Sequence, residues 1–259
     1  MNPPRTSRFI FWTTIVFLFL PLLVLMVFSF NDGRTMIWKG FSLQWYQSLF
    51  TNQPRLWAAV VNTLIVAFSA SIVATIIGTL GAIAIHWYRF KGKAYVRAMS
   101  FLPLILPEII IGVSLLIFFR MIGLPLSLWT IIIAHISFTI PFVLLMVMAR
   151  LGEFDDSILE AARDLGARET QTLWRIILPI SIPGIMAGFL TAFTLSLEDF
   201  VVTFFVTGSG SDTLPIFIYN QIKRKLPPEI NAFSVVLIGF TVFLLFLARR
   251  SIKYFVQRK

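Results

Sequence analysis

Residues 9–30 read FIFWTTIVFLFLPLLVLMVFSF, 22 positions without a single charge. Coiled as an α-helix, such a stretch is about 33 Å long, enough to cross a hydrocarbon layer of about 30 Å. Arg5 and Arg8 precede it, as basic residues precede the apolar core of a cleavable signal. The core is too long for a signal, and Ser29-Phe30-Asn31 is no small-residue cleavage site, so the stretch reads as a retained span.

Five more stretches further along have the same character: residues 56–85, 99–119, 129–148, 180–205 and 230–248. Six transmembrane helices in an all-α, polytopic membrane protein are therefore predicted. The composition agrees, with 58% hydrophobic and 13% charged residues and a mean hydropathy of +0.85. So few polar groups cannot cover a soluble domain of this length, and lipid must solvate most of the surface. The chain has no cysteine, which excludes a disulfide scaffold, Cys-ligated zinc, iron–sulfur clusters and thiol catalysis.

The net charge of +10 could suggest nucleic acid, but basic loops on the inner side of a membrane protein account for it. With both termini inside, the inner segments carry 15 Lys and Arg and the outer ones 7. That bias places both termini in the cytoplasm. No internal repeat, low-complexity tract or long linker is present, so residues 1–259 read as one transmembrane domain with a cytoplasmic loop at 149–179. Trp38, Trp45 and Tyr46 suit an interfacial segment or an amphipathic connector. Trp87-Tyr88 beside Arg89 and Lys91 reads as an inner-surface anchor. Pro103 and Pro107 just before Glu108 mark a bent helix, since each proline removes a backbone donor.

The loop at 149–179 is the polar exception. Ser157 and Glu160 have capping-box spacing, and Asp155 and Asp156 lie where a helix dipole favours negative charge. Ile158, Ala161 or Ala162, and Leu165 repeat at helical spacing, and Gly166 permits the left-handed turn that ends a helix. A second short helix is predicted over roughly 168–177, with the fifth span beginning after Pro179. Small Ala161 and Ala162 would let another surface approach closely, and the charges of Glu160 and Asp164 would give it register.

Glu160-Ala161-Ala162, three residues, Gly166, nine residues, then Ile176, Leu178 and Pro179 resembles the cytoplasmic coupling motif of bacterial ABC importer permeases. The likeness runs from the first span to the last. It includes Tyr88-Arg89-Phe90-Lys91-Gly92-Lys93, His135-Ile136-Ser137-Phe138 and Phe193-Thr194-Leu195-Ser196-Leu197-Glu198-Asp199. In these the chain is similar to the second permease subunit of spermidine/putrescine importers. The family's usual Asp-Asp pair stands here as Glu198-Asp199, which keeps the charge and lengthens one side chain. The resemblance implies the type I ABC importer permease (MetI-like) fold and no catalytic residue or cofactor in this chain, with ATP and Mg on a partner. Implied partners are a related permease, two ATP-binding subunits and an extracytoplasmic polyamine-binding protein, with membrane lipid around the bundle and no nucleic acid.

Only Glu108, Glu198 and Asp199 are carboxylates within the expected spans. Each costs about 2.5–3.5 kcal/mol at mid-membrane on insertion scales unless paired or solvated. They are candidates for a cation pathway, with Trp129, Phe200 and Phe204 as cation–π neighbours, or for a fixed ion pair with another subunit. Adjacent helical residues point about 100° apart, so one of Glu198 and Asp199 would orient the helix while the other lines the cavity. A span starting at residue 99 would place Glu108 roughly 13 Å from its inner end, and Glu198 would lie roughly 27 Å into the span starting at residue 180.

An intramembrane enzyme is the alternative class. His135 has no carboxylate nearby in sequence, and core packing or a helix-to-helix hydrogen bond accounts for it. The glycines of Gly208-Ser209-Gly210-Ser211 have turn spacing rather than a nucleophile-elbow setting, and no phosphate-binding Gly-rich loop occurs. Ferric iron, thiamine or another small solute as cargo, and a purely structural membrane subunit, are the remaining readings.

Overall fold

A computed structural model describes residues 5–33, 37–153, 155, 157–224 and 227–256. Its helices in chain order are α1 (Arg5–Phe28), α2 (Gln44–Thr51), α3 (Pro54–Trp87), α4 (Lys93–Phe101), α5 (Glu108–Met121) and α6 (Leu128–Gly152). They continue as α7 (Ser157–Asp164), α8 (Glu169–Thr172), α9 (Leu178–Glu198), α10 (Val201–Val206), α11 (Leu214–Arg224) and α12 (Pro228–Val256). Among the described residues there is no strand, only one isolated bridge between Asn31 and Phe41. The all-α membrane class expected from the sequence is thus the observed one. Among the described residues four helices are long and apolar enough to cross a bilayer, five if a bent pair counts as one span, and α12 adds the apolar stretch Pro228–Phe243.

Two expected spans are corrected. The stretch 99–119 is not one helix, because α4 and α5 meet at 105°. Pro103 sits in a 3-10 turn, Leu102–Leu104, and Pro107 in extended backbone starts α5. Without N–H groups these prolines cannot continue the ladder across the corner. Glu108 is consequently the first residue of α5 rather than nine residues into a helix, and the depth assigned to it falls away. The stretch 180–205 is also wrong at both ends. Helix runs from Glu169 to Glu198 without a gap, so the short helix expected at 168–177 is the foot of the span. A π-turn over Leu173–Ile177 lets the ladder pass into Pro179. At the other end the helix breaks at Asp199, which has extended backbone (φ −61°, ψ 124°).

Leu56–Phe217 forms one compact unit. Its centre is the antiparallel pair α6 and α9, in which α9 turns a stripe of small buried residues inward: Ser181, Gly184, Gly188, Ala192 and Ser196. A Cβ added at Gly184 would stand 2.7 Å from Arg150 Cβ, and one at Gly188 would stand 3.1 Å from Val143 Cγ1. The two backbones therefore approach as only small residues permit. One apolar cluster joins Ala74, Ala82 and Ile83 of α3, Val143, Leu144, Val147 and Leu151 of α6, and Leu159 and Ile177 of the following loop. A second joins Val66, Phe119, Ile131 and Ala134 to Val202 and Val206 of α10. The outer faces are apolar too, as lipid-facing helices require. Gly184→Leu should lower the apparent melting temperature in detergent by the equivalent of about 1–3 kcal/mol of overpacking. Gly239→Leu, where an added Cβ meets nothing within 4 Å, should leave it unchanged; equal effects would mean the α6–α9 contact is slack.

Met1–Arg55 and Ile218–Lys259 form the other unit. No residue in the apolar window of α1 is buried. After α1 the chain is tied around Asn31, which is 1% exposed. Its Oδ1 accepts from the Gly33 and Lys39 N–H groups, its Nδ2 donates to the Ile37 carbonyl, and its own carbonyl accepts from Trp45 Nε1 at 2.6 Å. Trp45 and Leu49 of α2 are buried, so this connector is packed amphipathic helix.

Candidate functional site

Two constellations carry the sequence candidates. The first is α7 and its surroundings. The helix starts at Ser157, whose N–H donates to Asp155 Oδ1 at 2.9 Å. The cap therefore lies before Ser157, not at the expected Ser157–Glu160 box, and Asp156 lies outside the described residues. The Ser157 backbone N–H and hydroxyl hold the exposed Asp155 carboxyl below its ordinary pKa. Its help to the helix start is present above the ordinary carboxylate range and is lost as pH falls through the lowered value.

At the other end Gly166 adopts φ +79°. Ala167 N–H reaches back to the Ala162 carbonyl at 3.0 Å, and Leu165 N–H to the Ala161 carbonyl at 3.1 Å. This six-to-one closure ends the helix after two turns. The two faces then separate. Leu159 and Ala162, three apart, are buried, and Leu159 belongs to the cluster that includes Val147 and Leu151. Ile158, Ala161 and Leu165 point outward with Glu160 and Asp164, and Leu165 is 89% exposed. The expected apolar repeat is therefore the outward face, while the inward anchor is Leu159, which periodicity alone did not single out. Ile176 packs partly against the same cluster, Leu178 is half-buried, and Pro179 is exposed in the first turn of α9.

The second constellation surrounds the break after α9. Asp199 Oδ1 accepts from Val202 N–H at 3.3 Å, and Oδ2 accepts from Thr203 N–H at 2.8 Å and Thr203 Oγ1 at 2.7 Å. The side chain thus caps α10. His135 of α6 is 0% exposed. Its Nε2 lies 2.8 Å from Thr203 Oγ1 and 3.3 Å from Asp199 Oδ2, and its Nδ1 lies 2.6 Å from Ser196 Oγ. The Thr203 proton is committed to the carboxylate, so Nε2–H donates to Thr203 Oγ1. In the neutral ring Nδ1 then accepts from Ser196. Three helical segments are sewn together by four side chains.

Ser196, His135 and Asp199 are the residue types of a hydrolase triad, yet all are buried and Asp199 is occupied as a cap. A nucleophile sealed between two helices meets no substrate. Among the described residues no group of three His, Asp or Glu gathers as a metal site.

The other candidates fall differently. Glu198, the last residue of α9, and Glu108, the first of α5, are exposed, and among the described residues neither has an ion-pair partner. Trp129 is exposed at the start of α6. Phe200 and Phe204 are brought together, with ring centroids 5.7 Å apart. His135 makes the helix-to-helix hydrogen bonds expected of it, but sequence reasoning missed its partners, which lie 61 and 68 residues away. The available signal was Ser196, Asp199 and Thr203 at spacings of three and four, a polar stripe along one apolar helix.

Residues 74–259 match the family described as binding-protein-dependent transport system inner membrane component. The chain is 41% identical over 234 residues to the spermidine/putrescine transport system permease protein PotC of Haemophilus influenzae, covering 90% of this chain and 91% of that one. It is 38% identical over 231 residues to the putrescine transport system permease protein PotI of Escherichia coli, covering 86% and 82%. Among solved structures, a bacterial alginate ABC transporter in complex with an alginate pentasaccharide-bound periplasmic protein superposes with a TM-score of 0.69 at 19% identity, covering 93% and 90%. With that transporter chain it shares its fold. On the family match and the identity of its relatives, this chain belongs to the inner-membrane components of binding-protein-dependent transport systems.

Proposed function

We propose that this chain is the permease subunit of an ATP-driven importer of polyamines, forming half of the path and receiving the movement of an ATP-hydrolysing partner through α7. The observation that carries the reading is the division of α7 into a buried foot, Leu159 and Ala162, and an outward apolar face, Ile158, Ala161 and Leu165, edged by Glu160. A helix fixed on one side and apolar on the other is suited to seat in a partner's groove. Gly166, Ile176, Leu178 and Pro179 support it by ending α7 and leading the chain into α9. The polyamine cargo rests on the printed functions of the relatives.

In this reading residues 1–259 act as one six-span permease domain, with both termini and the loop 149–179 in the cytoplasm. It pairs with a related permease, two subunits that bind ATP and Mg, and an extracytoplasmic polyamine-binding protein. Glu108 and Glu198, exposed and without an ion-pair partner among the described residues, face the ammonium groups, with Trp129, Phe200 and Phe204 as aromatic neighbours. Asp199 contributes by holding the break that presents Glu198. ATP can drive transport only because the two permease states bind the partner and the loaded receptor unequally.

The test is uptake of labelled putrescine and spermidine by cells lacking their own polyamine importers and expressing this chain with its cognate subunits. Unlabelled polyamine should compete, and ferric iron and thiamine should not. Uptake that ignores excess polyamine but yields to one of the other solutes would transfer the cargo to that solute.

A further inference from the structure

The segment joining α3 to α5 is marked by both charge and shape. No Asp or Glu occurs between Asp32 and Glu108, whereas Arg89, Lys91, Lys93 and Arg97 fall within nine residues of one another. Lys93 is engaged, its Nζ donating to the His86 carbonyl at 3.2 Å. It satisfies an end carbonyl of α3 and fixes the turn that Gly92 makes at φ +84°. Arg89 shares a cleft of about 220 Å³ with Glu169, Leu159 and Leu173. Lys91 and Arg97 are exposed, and among the described residues neither has an ion-pair partner.

α4 itself has no buried residue. Tyr95 and Met99 of α4, and Leu102 in the turn just past its end, follow one another at spacings of four and three and are all exposed. Lys93, Arg97 and Ser100 follow at the same spacings on the opposite face. An apolar face backed by a cationic one is the pattern of a helix lying in a membrane interface. The 105° corner turns α4 nearly at right angles to α5. Phe101 packs against the core cluster, so α4 cannot swing free of the bundle.

We propose that α4 is a docking surface for anionic phospholipid, its Tyr95–Met99–Leu102 stripe entering the acyl boundary and Lys91 and Arg97 pairing with phosphate-bearing headgroups. The choice of lipid over protein rests on charge. A net-positive segment without one carboxylate complements a surface of uniform negative sign, and each exposed cation strengthens such binding roughly fivefold. The proposal needs the chain to be membrane-inserted and does not depend on its cargo.

The chain has no native cysteine, so Tyr95→Cys can carry a single environment-sensitive fluorophore in the assembled complex. The label is read in vesicles of equal phosphatidylglycerol and phosphatidylcholine in which one or the other lipid is brominated. Brominated phosphatidylglycerol should quench it several-fold more strongly. Lys91→Gln with Arg97→Gln should bring the two lipids close to parity, as should raising the salt. A label at Phe17→Cys in α1 should be quenched equally by both lipids, which reports insertion itself; its failure would strike the membrane reading, not this one. The proposal is overturned if the Tyr95→Cys label is quenched equally by both lipids in the unsubstituted chain. It is also overturned if the label stays in water in every vesicle, or is shielded only when the ATP-binding subunits or a second copy of the chain are added.

Discussion

Asp199→Ala should be the most damaging single substitution in the bundle. It removes the cap of α10, worth about 1–2 kcal/mol. It also leaves the Thr203 hydroxyl buried without its acceptor, at about 1–3 kcal/mol. The expected loss is about 2–5 kcal/mol, read as a large fall in the detergent melting temperature and in the yield of folded protein. Asp199→Asn keeps an acceptor oxygen and should lose only a fraction of that. In a double-mutant cycle Asp199→Ala and His135→Ala together should lose less than the sum of the two single losses, because both belong to one network through Thr203. Glu198→Gln provides the contrast. It should leave melting unchanged and depress polyamine uptake, since its carboxylate is exposed and unpaired among the described residues. If Asp199→Asn abolished uptake in fully stable protein while Glu198→Gln did nothing, the roles assigned to these neighbours would be reversed.

A charge on the outward face of α7 should cost nearly all transport without unfolding the chain. Leu165→Asp alters a side chain that is 89% exposed, so stability should stay within about 0.5 kcal/mol. If Leu165 enters a groove on the ATP-binding subunit, burying a carboxylate there should weaken association by more than about 2 kcal/mol, roughly 30-fold. Co-purification with that subunit and ATP-driven uptake should fall together. Leu159→Asp has the opposite signature: a buried anchor is lost, and melting temperature falls first. Normal uptake by Leu165→Asp would remove α7 from the coupling path.

The apolar stretches announced the membrane class without ambiguity because long uncharged runs have no other stable solvent. Where helices stop was less legible. Apolar residues run directly through the corner at 102–107 and resume straight after the break at 199, so composition alone placed neither stop. Pro103 and Pro107 signalled a bend, but an angle of 105° depends on what α4 packs against. The break at 199 depends on His135 and Thr203 being present to receive a carboxylate. In the loop, local signals fared better. Gly166 was read correctly as a left-handed terminus because that conformation is a property of one residue. The assignment of inward and outward faces to α7 required Val147 and Leu151 of α6, which no local pattern contains.

From Glu169 to Glu198 the chain is one hydrogen-bonded column of 30 residues, about 45 Å from end to end. Pro179 and Pro183 each leave a gap in its ladder, and the π-turn at its foot accommodates the first. Should a partner push on α7 as proposed, this column is the element that would carry the push to Asp199, where backbone first becomes extended and the chain changes direction between Glu198 and Phe200.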